Sequence, residues 1–136
     1  MRIKETVLYY TPEKTARTTK LKGIFVCLGL KIRNIGPEDL DETVGYLAGL
    51  KGYESSGRQM EEDISPISEE MLVMNGFSSA RIDALLLAIR KAGLPKINLK
   101  AIVTEQNARW TFRELYREIK KEHEAMSGAV GKPKEN

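Results

Sequence analysis

Leu99-Lys-Ala-Ile-Val-Thr-Glu-Gln-Asn-Ala-Arg-Trp110 begins as a strand and ends as a turn. Ala101, Ile102 and Val103 are small or β-branched and suit a strand covered on both faces, whereas Thr104, Gln106, Asn107 and Trp110 fall where the chain must reverse. Directly after them Phe112, Leu115, Tyr116 and Ile119 recur at helical spacing, with Thr111 and Glu114 in the positions of a capping box. A strand that stops at polar residues just before an amphipathic helix is the joint of an α/β fold, and its polar turn is the natural place for a ligand.

Moving outward, Met71 to Met74 reads as the preceding strand, turning at Asn75-Gly76. Ser78 then caps a helix that carries Ile82, Leu85, Leu86 and Ile89 and stops at Gly93-Leu94-Pro95. The N-terminal part has the same grammar. Val7 to Tyr10 is a strand, Thr11-Pro12-Glu13 a helix start, and Leu21, Ile24, Phe25 and Leu28 a helical stripe ending at Gly29. Leu30, Ile32 and Ile35, interrupted by Lys31 and Arg33, suggest a more exposed edge strand closed by Gly36-Pro37. A second helix follows from Pro37, with Leu40, Val44, Leu47 and Leu50 on one face, and ends near Gly52. Each half thus reads strand, helix, strand, helix, although too few residues are shared for the sequence to establish a repeat. The expectation is an α/β domain over residues 1–126, with a small, mostly parallel four-stranded sheet and helices on both faces. Residues 53–69, rich in Ser, Gly and acids, read as a mobile connector, and 127–136 as a disordered tail.

At 136 residues such a domain buries roughly 70% of the surface its unfolded chain exposes and needs no staple. The one cysteine, Cys27, cannot form an internal disulfide, and its place in the run Ile24 to Leu28 reads as a buried core thiol; cytoplasm is the matching compartment. The N-terminus lacks the apolar stretch of a signal peptide, and no run approaches the ~20 apolar residues that span a bilayer. The net charge of +3 conceals a division. Residues 1–36 hold eight Lys/Arg against two Asp/Glu, 37–76 hold two against ten, and 77–136 hold twelve against seven. A chain so divided can pair with itself, and two-fold self-association is one reading of it.

Familiar catalytic patterns are incomplete. Lys14-Thr15 follows the first strand as in a phosphate-binding loop, but Thr11-Pro12-Glu13 supplies none of the glycines that let successive N–H groups wrap a phosphate. A bare helix N-terminus there, helped by Lys14 and Arg17 and opposed by Glu13, is the weaker alternative. No Gly-x-Gly-x-x-Gly follows a strand. A phosphoacceptor site would need carboxylates where Tyr9-Tyr10 and Met74-Asn75 stand, although Thr104 occupies that family's hydroxyl position. His123 lies among Lys120, Lys121, Glu122 and Glu124 on a solvated helix face. Arg109, Arg113, Arg117 and Lys121 recur every four residues, but Glu114, Glu118 and Glu122 recur beside them, which argues against a nucleic-acid surface. No cofactor or metal is implied.

The segment Met71-Leu-Val-Met-Asn-Gly-Phe-Ser78, taken with Leu99-Lys-Ala-Ile-Val-Thr104-x-x-Asn107-x-x-Trp110 and Leu115, resembles a bacterial family, domain of unknown function 3783, most clearly over residues 69–122. The Lys-x-x-x-Thr-x-x-Asn-x-x-Trp spacing carries the resemblance and is not a catalytic signature. It implies a domain boundary and no activity.

The sequence reading is therefore a non-catalytic cytoplasmic binding or interaction domain, not membrane-bound, that takes a small ligand or a protein partner at the carboxyl ends of its strands. Thr104, Asn107, Trp110, Asn75 and Ser78 are its candidate ligand-binding residues, with Trp110 half-buried under the start of the last helix. The alternatives are a small-molecule enzyme using the same polar residues and a self-associating structural domain forming a homodimer. Against the enzyme stands Lys100, the only nearby base, which lies some four residues or about 13 Å from Thr104 along an extended strand.

Overall fold

A computed structural model describes residues 5–54 and 67–130. Four strands, β1 (Thr6–Tyr10), β2 (Lys31–Asn34), β3 (Met71–Asn75) and β4 (Leu99–Ile102), form one sheet in the order β2-β1-β3-β4. β1 runs parallel to β2 and β3 parallel to β4, while the two central strands are antiparallel. The sheet is mixed and mostly parallel, in an α/β fold.

The central strands are buried at every position, so successive side chains feed two cores on opposite faces. Val7, Tyr9, Leu72 and Met74 meet Leu21 and Phe25 of helix α1 (Ala16–Cys27) and Leu85 and Ile89 of helix α3 (Ser79–Lys91). Leu8, Tyr10, Met71 and Val73 meet Val44 and Leu47 of the one-turn helix α2 (Val44–Leu47) and Phe112 and Leu115 of α4 (Phe112–Val130). Each such fully buried aliphatic or aromatic side chain contributes about 1.5–3 kcal/mol.

The two halves are structural repeats. The β1–β3 ladder is symmetric about Leu8 opposite Val73, Thr6 facing Asn75 and Tyr10 facing Met71. Both crossover helices end alike: Gly29 (φ 74°) and Gly93 (φ 76°) take the left-handed conformation, and the next residue's N–H returns to the helix, Leu30 to Phe25 O at 3.0 Å and Leu94 to Ile89 O at 3.2 Å. Beyond β2 and β4 the turns match at a constant offset. Gly36 N–H donates to Asp39 Oδ2 at 3.0 Å and Thr104 N–H to Asn107 Oδ1 at 2.8 Å. Thr43 caps α2 by accepting from Tyr46 N–H at 3.2 Å, and Thr111 caps α4 by accepting from Glu114 N–H at 3.0 Å. The capping Thr43 and Thr111 then face each other in an isolated antiparallel bridge, Val44 N–H donating to Trp110 O at 2.8 Å and Phe112 N–H to Glu42 O at 3.0 Å.

Several sequence expectations need correction. β4 is an edge strand rather than one covered on both faces, with Ile102 46% exposed. α1 begins after Thr15, because Thr11 Oγ1 donates to Glu13 O at 2.8 Å and closes a separate turn. The helix expected from Pro37 to Leu50 is a 3₁₀ turn, Pro37–Asp39, and then α2; between them Glu42 O and Val44 N–H are spent on the bridge to the second half and cannot continue a helix. Cys27 is exposed: at about 100° per residue it points away from buried Leu21 and Phe25, and the apolar run that contains it overshoots the stripe. The connector's ends are packed, Ile67 in the core and Tyr53 against Gly45, while 55–66 lie outside the described residues. α4 continues to Val130, past the expected start of the tail; residues 131–136 lie outside the description.

Two glycines separate backbone cost from packing. Gly23 lies inside α1 with nothing within 4 Å of an added Cβ, whereas a Cβ on Gly45 would stand 2.7 Å from the Tyr53 ring. In urea unfolding Gly23→Ala is expected to stabilise by ~0.5–1 kcal/mol and Gly45→Ala to destabilise by ~1–3 kcal/mol.

Candidate functional site

Parallel strands present ligands with the crevice beyond their carboxyl ends. Because β1 and β3 are antiparallel, this sheet has two such ends, at opposite edges of the molecule: β1 and β2 finish at one, β3 and β4 at the other.

Asn75, Ser78, Thr104 and Asn107 lie at the second end, on both sides of the sheet, while Trp110 lies beyond it, beside the bridge to the first half, where its carbonyl accepts from Val44 N–H. Asn75 is the buried last residue of β3. Ser78 accepts from Arg81 N–H at 3.2 Å as the N-cap of α3. Asn107 is buried and held in the turn: its Oδ1 accepts from Thr104 N–H, its Nδ2 donates to Ile102 O at 2.9 Å, and its own N–H donates to Thr104 Oγ1 at 3.1 Å. These bonds form the turn. Trp110 is half-buried and packs on the α2–α4 core, whereas Ser78 caps the helix on the other face, so the sheet separates them. The Lys100 amine donates to Ile97 O at the start of its strand, away from Thr104 and Asn107.

The first end holds a cleft of about 360 Å³ between the ends of β1 and β2. Tyr10, Thr11, Asn34 and Gly36 form its walls, with Lys14 and Lys22 on the side of α1 and Glu38 opposite. The Glu38 side chain lies folded over Gly36, its carboxylate 2.7–3.0 Å from where a Cβ would stand. The tyrosines are committed elsewhere. Tyr10 OH donates to Ile67 O at 2.6 Å, and Tyr9 OH donates to Glu70, whose other oxygen holds Arg17 Nη1 at 2.5 Å. Burial, then the hydrogen bond to Glu70 and its charge, hold the Tyr9 phenol far above the ordinary tyrosine range. Arg17 also donates to Pro95 O at 2.7 Å, so of the two cations expected beside the helix start only Lys14 faces the cleft. Lys14 and Lys22 enter no ion pair among the described residues. The signal for this cleft in the sequence was Lys14 after the first strand; Lys22, from within the helix, joins it only through folding.

Among the described residues no group of three or more His, Cys, Asp or Glu side chains is placed to hold a metal ion, and no helix is long and apolar enough to cross a membrane.

Residues 70–126 match the family model of a domain of unknown function, DUF3783. The match runs from the residue before β3 into α4, so it covers the second repeat and not the first. No curated protein and no solved structure matches the chain.

The turn predicts graded losses. Asn107→Ala removes two side-chain hydrogen bonds from a buried site and is expected to cost about 1–3 kcal/mol in urea unfolding; Asn107→Asp keeps the acceptor that Asp39 supplies in the first repeat and loses less. Tyr9 predicts an alkaline effect. Its folded pKa is raised, so its stabilisation is complete below the unfolded value of about 10 and is lost as pH rises above it. Stability measured from pH 9 upward should therefore fall less steeply in Tyr9→Phe than in wild type; equal slopes would contradict the assignment.

Proposed function

We propose that this chain is a non-catalytic cytoplasmic binding domain whose ligand occupies the cleft between the ends of β1 and β2. The observation that carries the reading is the pairing of a ligand-sized hollow at the favoured end of a parallel pair with two lysines that have no carboxylate partner among the described residues. Tyr9, Tyr10 and Arg17, the groups nearby that could move a proton or polarise a substrate, are spent on structural hydrogen bonds. Lys14 and Lys22 suit an anionic group, and Glu38 across the cleft suits a hydroxyl or ammonium on the same molecule. The ligand class is accordingly a compact polar metabolite that bears both.

A thermal-melt panel of small carboxylates and phosphates with amino or hydroxyl substituents tests this. A ligand at about one hundred times its dissociation constant stabilises the fold by ~2.7 kcal/mol. That shift is expected to vanish in Lys14→Ala/Lys22→Ala, whose melting without ligand stays near wild type because both side chains lie at the surface, and to persist in Thr104→Ala. The reverse result would move the site to the other end of the sheet.

A further inference from the structure

A second hollow, of about 400 Å³, lies between the last turns of α3 and the start of β4. It exists because β4 is an edge strand and α3 covers the sheet only as far as the β3 side chains it packs on. Leu86, Ile89, Leu94 and Ile97 make its apolar floor, and among the described residues its charged lining groups are all cations: Arg90, Lys96 and Lys100.

Lys100 is the decisive residue. Its Cα pairs with Leu72, so it stands on the α3 face of the sheet, where an apolar residue would extend the core. Its four-carbon stem lies in the hollow instead, and its amine makes one recorded hydrogen bond, to Ile97 O, which leaves two N–H donors for a ligand. Burial, and then the neighbouring Lys96, lower its pKa, the mark of a cation lacking an anion. None of the three cations enters an ion pair among the described residues. Glu69 and Glu70, which share an adjoining hollow with Lys96, serve other groups: Glu70 holds Arg17 and Tyr9, and Glu69 holds Lys120 and Tyr116. The C-terminal end of α3 would repel an anion, but its last carbonyls are capped by the N–H groups of Ala92, Gly93 and Leu94.

We propose that this hollow binds a free amphipathic anion, a small molecule with a short aliphatic or aryl body and a phosphate or carboxylate head, the body on Leu86, Ile89, Leu94 and Ile97 and the head between Lys100, Lys96 and Arg90. The site is separate from the β1–β2 cleft and stands or falls independently of it.

Octyl phosphate below its micelle concentration, titrated into the ¹⁵N-labelled full chain, tests the proposal, with inorganic phosphate, octanol and anionic phospholipid vesicles as parallel arms. Saturable amide shifts confined to residues 86–100 are expected, with at least tenfold weaker binding of either half-probe. Lys100→Met, which keeps the stem and removes the charge, should weaken octyl phosphate at least tenfold, and Lys100→Arg should retain it, which excludes general damage. Four results would overturn the proposal: equal binding of octanol, which makes the hollow merely apolar; equal binding of inorganic phosphate, which makes it a bare anion site; shifts confined to the Lys14–Lys22 cleft; or response to vesicles without response to monomeric probe, which makes it a membrane-facing surface.

Discussion

The antiparallel pairing of β1 with β3, centred on Leu8 opposite Val73, is the constraint on which the rest depends. It joins two parallel strand pairs back to back, sends their carboxyl ends to opposite sides of the molecule, and puts both crossover helices over one face. The same symmetry recurs on the other face, where Thr43 and Thr111 meet and the flanking backbone groups exchange hydrogen bonds. A residue that only one half could accommodate at either centre would break the correspondence of the two. At the Thr43–Thr111 bridge, side-chain caps and backbone pairing are made together.

Ion pairs across the two halves reinforce this joint. Four acids of residues 37–76 are tied to cations from the two flanking regions. Asp39 faces Arg33 at 3.5 Å and Glu70 faces Arg17 at 2.5 Å, while Asp41 faces Arg113 at 3.1 Å and Glu69 faces Lys120. The pair that links the repeats most tightly is Asp41–Arg113, because the Arg113 side chain is only 7% exposed and its backbone N–H also donates to Leu40 O. A partly desolvated pair of this kind loses far more when one partner is removed than an exposed one. The lysine and tyrosine contacts of Glu69 lower its pKa, so that carboxylate's stabilisation is present above its ordinary range and fades as pH falls through the lowered value.

Much of the architecture was legible in the sequence because local chemistry determined it. Ser78 and the Thr111–Glu114 box marked helix starts, Gly29 and Gly93 marked stops, and Lys31 and Arg33 marked an edge. The errors share a cause: they occur where a distant partner overrides a local preference. Helix continuity between Leu40 and Val44 is lost to Trp110 and Phe112, and the coverage expected for β4 was read from residue type when it depends on how far α3 extends. Asn107 has the composition of a ligand-binding residue, yet a buried Asn that can bond its own turn does so. The strand ends could be identified one by one, but their division between two edges of the sheet follows only from the strand order, which periodicity does not encode.

Symmetry of backbone with asymmetry of side chains is what makes one end of the sheet different from the other. At matching positions the first repeat carries Tyr10, Gly36 and Asp39 where the second carries Asn75, Thr104 and Asn107, and the turns they form are nearly the same. Gly36 admits the Glu38 carboxylate to within 2.7 Å of where a Cβ would stand, so an acid can lie over the turn and face the lysines across a hollow. Thr104 already has its Cβ there, and its hydroxyl is drawn into the turn by Asn107. The second end therefore spends its polar atoms on its own backbone. The first leaves the Lys14 and Lys22 ammonium groups without a carboxylate partner among the described residues.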